Sequence, residues 1–177
     1  MDLIGIAHPR FRPWLIEEAK RLNLIYRDQA FIPGEKGEYP EHLETTRRTR
    51  SGVKVFMRPV KISDEDLVKD FFYSLSDKSL QRRFMTVHKD IPHKMRQKFV
   101  VIDYTKEMVI LACVVKNEME VVVGIGQYVK WHDRNYADVA FAVRDDYQKK
   151  GIGTELLDYI TVMAKNEGLQ GFTADVL

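Results

Sequence analysis

The stretch Val143-Arg144-Asp145-Asp146-Tyr147-Gln148-Lys149-Lys150-Gly151-Ile152-Gly153-Thr154 joins two different periodicities. Before it, Tyr136 to Val143 alternates like a strand, with Asp138 set in an otherwise apolar or small-residue run. After it, Ile152, Leu156, Leu157, Ile160, Met163 and Ala164 keep a 3.6-residue period that Gly168 stops. The stretch is therefore a strand-to-helix junction. Gly151 and Gly153 carry no side chains to shield the backbone N–H groups at the helix start, where the dipole favours an anion, and Lys149 and Lys150 add positive charge. Phosphate oxygens suit such a site; a tight turn without a ligand is the alternative. The segment is not a Walker loop, because no Lys precedes Thr154. It is not a dinucleotide fingerprint either, because Leu156 stands where a third glycine would be.

Upstream, Met108 to Val115 is a nearly continuous apolar run closed by Lys116-Asn117-Glu118, and Val121 to Trp131 follows it. With Tyr136–Val143 they predict an antiparallel meander. Gly124 and Gly126 inside the second run predict a bulge or a close backbone approach. Val53, Val55 and Met57 alternate with Lys54, Phe56 and Arg58 as a strand that Pro59 ends. Ser63 and Asp66 have capping-box spacing before the stripe Leu67, Val68, Phe71, Phe72 and Leu75. Shorter helices are expected over Asp77–Met85 and Pro92–Val101, and a closing strand over Gly171–Leu177. The fold class is α/β of the α+β type, a mixed and mainly antiparallel sheet flanked by helices. Thr173–Leu177 would leave an apolar edge open to pairing with a second copy, giving a homo-oligomer.

The chain has 177 residues, 45% of them hydrophobic and 31% charged, with a net charge of +2. That is enough to build a core and excludes low-complexity disorder. One cysteine, Cys113, excludes an internal disulfide framework and a multi-cysteine zinc site. The five histidines are scattered, and His88 with His93 lacks helical metal-pair spacing, so no metal is expected. No apolar run is long enough to span a bilayer, and the N-terminus lacks the pattern of a secretory signal, which points to a cytoplasmic protein without a membrane partner. The charge balance gives no argument for nucleic acid. Residues 3 to 25 read as a strand-like end, Leu3-Ile4-Gly5-Ile6-Ala7, and one helix. Residues 26–52 read as a linker, and Arg47, Arg48 and Arg50 within it as solvated charges, since no aromatic residues interleave with them. Contact with phosphates is the alternative for these arginines.

Gln148-x-x-Gly151-x-Gly153, after a strand and opening an amphipathic helix, resembles the pyrophosphate-binding motif of the GNAT acetyltransferase superfamily, and Tyr136 to Tyr147 extends the match. The resemblance covers residues 53–177 and is similar in detail to the acetyltransferase domains of bacterial protein lysine acetylases of the Pat type. It implies acetyl-CoA as cosubstrate, its pyrophosphate held by Gln148, Lys149, Lys150, Gly151, Ile152 and Gly153. It also implies that the preceding strand splays from its neighbour so that Phe141, Ala142 and Val143 pair with the pantetheine arm. The acceptor would be an amine, a protein lysine. Several family members carry a Glu as general base where Asp138 stands; flanked by Ala137, Val139 and Phe141, Asp138 would be partly desolvated and its pKa raised. Capping or pairing with a basic residue is the alternative for Asp138. Related domains continue with a further helix and two strands, in which a tyrosine often protonates the leaving thiolate. None of the eight tyrosines here occupies that place, so the domain is expected to be incomplete at its C-terminus.

Leu3-Ile4-Gly5-Ile6-Ala7-His8-Pro9-x-Phe11-Arg12 with Glu17–Leu22 resembles the C-terminus of the acetyl-CoA hydrolase/transferase family. It implies that residues 1–25 are the tail of a CoA-transferase-like domain. Two functions follow: an acetyl-CoA-dependent N-acetyltransferase, or a non-catalytic domain sensing acetyl-CoA or CoA for a fused CoA-transferase. Cys113 reads as core packing, and Trp131-His132 either lines an acceptor groove or ends a strand.

Overall fold

The computed structural model of the chain describes residues 2–32, 35–84 and 91–174. In chain order, helices α1 (Asp2–Ile6) and α2 (Arg12–Arg21) precede strands β1 (Thr45–Arg48) and β2 (Lys54–Pro59). Helices α3 (Glu65–Ser74), α4 (Asp77–Phe84) and α5 (His93–Val100) follow. The meander is β3 (Glu107–Lys116), β4 (Met119–Lys130) and β5 (Tyr136–Val143), then helix α6 (Ile152–Asn166) and β6 (Gly171–Thr173). The strands lie in one sheet in sequence order. Every pairing is antiparallel except β5 with β6, which is parallel because α6 carries the chain back over the sheet. This is the mixed, mainly antiparallel sheet that the periodicities predict.

Each face of the sheet has its own apolar core. On one face, Val55, Met57, Ile110, Val123, Tyr128 and Val139 pack under Ile152, Leu156 and Ile160 of α6. On the other, Val109, Leu111, Cys113, Val122 and Ile125 meet Val68, Phe71 and Phe72 of α3, Leu80 of α4 and Val100 of α5. Both glycines of β4 serve the first face. A Cβ on Gly124 would lie 3.1 Å from Ile152 and from Leu156, and one on Gly126 would lie 2.7 Å from Ile160. The close approach expected of these glycines is thus the seat of α6. The bulge is present as well: pairing of β3 with β4 slips where Ala112 faces Gly124 and Cys113 faces Val122, leaving Val123 as the extra residue.

Four expectations need correcting. Leu3–Ala7 is not strand-like, since α1 spans Asp2–Ile6; an apolar run this short has no periodicity to separate helix from strand. Residues 26–52 are not all linker, because Thr45–Arg48 forms β1 against β2. The β1 signal is hidden because Arg47 covers α6 with its stem, its guanidinium 4.9 Å from the Tyr159 ring centre and 3.4 Å from Glu155. Ser63 does not open α3. It lies in a 3-10 turn, Ile62–Asp64, where the Asp64 carboxylate accepts the Lys61 N–H at 2.6 Å and a bidentate pair from Arg58. The closing strand spans Gly171–Thr173. The remainder of the proposed oligomer edge, residues 175–177, lies outside the described residues, as do Met85 at the expected end of α4 and His88.

Candidate active site

Strand β5 changes character along its length. Tyr136, Ala137 and Asp138 pair with Gly171, Phe172 and Thr173 of β6. From Val139 to Val143 the strand keeps β4 on one side and has, among the described residues, no strand on the other. Phe141 and Val143 turn their side chains into the α6 core and Ala142 into the opposite one, so what this stretch offers outward is backbone. In this register the residues that would extend β6 alongside Ala140–Ala142 are 175–177, which lie outside the described residues. The Arg144 N–H donates to the carbonyl of the bulged Val123 at 3.0 Å, which pins the end of β5 to β4.

A short 3-10 turn, Asp145–Tyr147, then leads to the helix. Lys149 and Gly151 take left-handed backbone conformations, φ 60° and 86°; at Gly151, the N-cap of α6, only glycine adopts this without strain. The backbone N–H groups of residues 149–154 find no acceptor among the described residues. A Cβ added at Gly153 would make only ordinary van der Waals contact, with a Val143 methyl at 3.8 Å. Lys149, Lys150, Gly151, Ile152 and Gly153 thus present a run of backbone donors without an acceptor among the described residues. The Ile152 side chain itself is buried in the core, so it offers only its backbone here.

Gln148 does a different job. Its side-chain amide donates to the Val143 carbonyl at 3.1 Å, closing the turn on itself. The neighbouring Asp145 carboxylate accepts the Ser76 N–H, the Ser76 hydroxyl and the Ser79 hydroxyl, each at 2.9 Å. Burial alone would raise its pKa, but these serine donors outweigh that and hold it below the usual carboxylate range. Ser76 caps α4, its hydroxyl accepting the Ser79 N–H, so Asp145 ties the loop to the helix layer on the far face.

Asp138 departs from its expected surroundings. Ala137 and Val139 are buried under α6, and strand alternation turns Asp138 to the other face, where it is exposed and accepts a hydrogen bond from the Thr173 hydroxyl. Directly across β4 stands Val129, and across β3 Glu107, which puts Glu107 and Asp138 in one row roughly 10 Å apart by the spacing of strands. Sequence reasoning missed Glu107. Burial raises its pKa, against a hydrogen bond from Gln127 that lowers it. An open cleft beside Glu107 and Gln127 is bounded by Met95, Lys98 and Phe99 at α5. The only signal in the sequence was a charged residue at the head of an apolar strand. Trp131 directly follows β4 near this row, exposed, with the Arg134 guanidinium 5.7 Å from its ring centre. Cys113 is buried, and burial pushes its thiol pKa up, as expected of core packing. Among the described residues no cluster of His, Cys, Asp and Glu is placed to hold a metal ion, and no helix is long and apolar enough to cross a membrane.

The sequence profile of the Acetyltransferase (GNAT) family matches residues 69–177. The chain belongs to this family of acetyltransferases. It is 32% identical over 131 residues to acetyltransferase Pat of Mycolicibacterium smegmatis, an alignment covering 73% of this chain and 38% of that protein. It is 25% identical over 144 residues to an acetyltransferase of Pseudomonas aeruginosa, covering 81% of this chain and 74% of the relative. The crystal structure of the GNAT domain of S. lividans PAT superposes with a TM-score of 0.72 at 26% identity, covering 79% of this chain and 82% of that one. The chain thus spans 38% of the length of the Mycolicibacterium relative. GNAT acetyltransferases are N-acetyltransferases that use acetyl-CoA.

Proposed function

We propose that this chain transfers the acetyl group of acetyl-CoA to the side-chain amine of a protein lysine by direct attack. The observation that carries the reading is the run of backbone N–H groups at residues 149–154, without an acceptor among the described residues, at the start of α6 directly after β5. The edge of β5 would pair with the amides of the pantetheine arm, through Phe141, Ala142 and Val143. The loop, Gln148 to Gly153, would hold the pyrophosphate, with Gln148 shaping the turn rather than reaching the ligand. The lysine acceptor is supported by the likeness to Pat-type acetylases.

The neutral amine attacks the thioester carbonyl, the C–N bond forms as the C–S bond breaks, the amine proton passes to the Asp138 carboxylate through water, and the departing thiolate takes a proton from water. Exposure of Asp138 suits such a relay, since water reaches it freely. The assay mixes acetyl-CoA with lysine peptides and follows thiol release together with acetylated peptide. Asp138→Asn should retain acetyl-CoA binding and lose kcat by about a hundredfold or more. Unchanged turnover in that variant would contradict the base assignment.

The second reading, sensing of acetyl-CoA without transfer, is favoured by the hydrogen bond that engages Asp138 with Thr173. It predicts binding without thiol release for every amine. The assignment of residues 1–25 to a CoA-transferase-like tail, with a connecting segment before residue 53, is supported by the sequence resemblance over those residues.

A further inference from the structure

We propose that Arg50, at the tip of the β1–β2 hairpin, forms with Lys149 and Lys150 a binding site for the 3′-phosphate of coenzyme A. The inference rests on the acetyl-CoA reading above and extends it to the nucleotide end of that substrate.

The hairpin tip is seated directly on the loop. Thr49 to Val53 closes the turn, with Gly52 at φ 88° and its N–H donating to the Thr49 carbonyl at 2.9 Å. The Ser51 hydroxyl donates to the Lys150 carbonyl at 2.7 Å. A Cβ on Gly151 would come within 3.3 Å of the Thr49 Cβ and 3.7 Å of the Arg50 backbone nitrogen. Below the tip, the Arg47–Glu155 pair and the Tyr159 hydroxyl, which donates to the Leu43 carbonyl, hold the incoming segment against α6. Arginines that read as solvated linker are thereby delivered to the start of the helix.

Charge around the loop is uneven. Each carboxylate nearby is already engaged: Asp145 by the two serines, Asp146 by Arg144 at 3.0 Å, and Glu155 by Arg47. Arg50, Lys149 and Lys150 are exposed, and among the described residues none of the three makes an ion pair. The Lys150 ammonium stands 4.7 Å from the Tyr147 ring centre, which limits where it can swing. Three unneutralised cations where the hairpin tip meets the helix start suit a phosphate monoester, which is close to a dianion at neutral pH, and an arginine fork matches its oxygens.

Direction separates this site from the pyrophosphate cradle. Gly153 borders Val143 of β5, whereas Gly151 borders Thr49 of the hairpin. A ligand that runs along β5 and crosses the helix start therefore leaves it at the hairpin. In acetyl-CoA the group beyond the pyrophosphate is the ribose bearing the 3′-phosphate.

Calorimetric titration of the whole chain with acetyl-CoA and with acetyl-3′-dephospho-CoA tests this. The wild type should bind the phosphorylated form about tenfold tighter, a gap that shrinks as salt is added. Arg50→Gln should remove most of that preference without changing affinity for the dephospho form, and Arg50→Lys should keep part of it. Equal affinity of the wild type for both ligands would overturn the 3′-phosphate site and leave the acetyl-CoA reading standing. Full preference retained in Arg50→Gln would also overturn it. Binding of neither ligand would overturn the acetyl-CoA reading itself, and this site with it.

Discussion

The two faces of the sheet are closed by different means. Under α6 the contact is apolar and close, made possible by Gly124 and Gly126, so the start of the helix is fixed relative to β5. The opposite face is covered by three short helices, and a buried ion network runs through it: Arg58 pairs with Asp64 at 2.6 Å and with Glu120 at 3.0 Å. That face also keeps the open cleft beside Glu107 and the exposed Asp138. On the proposed function the faces would take different parts of one reaction. The close-packed face would hold the loop still for the nucleotide substrate, and the looser face would leave space for an amine to approach.

The largest effect expected from disturbing this arrangement is on the ion network. Arg58→Met leaves Asp64 buried without its partner and should cost about 3–5 kcal/mol in urea unfolding. A loss below about 1 kcal/mol would mean that the apolar contacts of α3 suffice on that face. The pH dependence has a defined sign. Burial would raise the pKa of Glu120, but hydrogen bonds from Arg58 and Cys113 and the charge of Arg58 hold it below the ordinary carboxylate value. The stability it contributes is present above about pH 4.3 and is lost as pH falls through the lower folded value, so the gap between wild type and Arg58→Met should narrow in acid.

On the α6 face, Gly124→Val should cost about 1–3 kcal/mol, because its methyls meet Ile152 and Leu156. Gly153→Ala meets nothing closer than 3.8 Å and lies in the first turn of α6, so stability should match or exceed that of the wild type. Its acetyl-CoA affinity should still fall, since the new methyl stands in the loop proposed to hold the pyrophosphate. Parallel thermal melts and titrations of the two variants separate the seat of the helix from the ligand site; equal losses in both properties for both variants would erase that distinction.

The smallest effect is at Glu107. Burial raises its pKa, so the folded chain resists ionising it, and the resulting stability is lost as pH rises from the unfolded towards the folded value. Glu107→Gln should therefore melt at or above the wild-type temperature at neutral pH, with the difference vanishing in acid. A lower melting temperature at neutral pH would show that the ionised group has a partner in the cleft.

The meander, α6 and the loop between them were legible because apolar periodicity and glycine positions are local signals. Gly124 and Gly126 announced close approach before any partner was known, and α6 supplied it. Strand β1 was not legible, since a Thr-Thr-Arg-Arg run carries its burial in an arginine stem that hydropathy counts as charge. Asp138 was assigned its place on β5 correctly, but its environment depends on which face the strand turns out, and neighbours in sequence point the opposite way. Glu107 became visible only once β3 and β4 were in register with β5.

Calorimetric titration of the chain with acetyl-CoA tests the central claim most directly. One molecule bound per chain in the micromolar range, about −8 kcal/mol, is the expected result. Absence of binding heat from chain shown to be folded would contradict the assignment of the β5 edge and the α6 loop as the acetyl-CoA site.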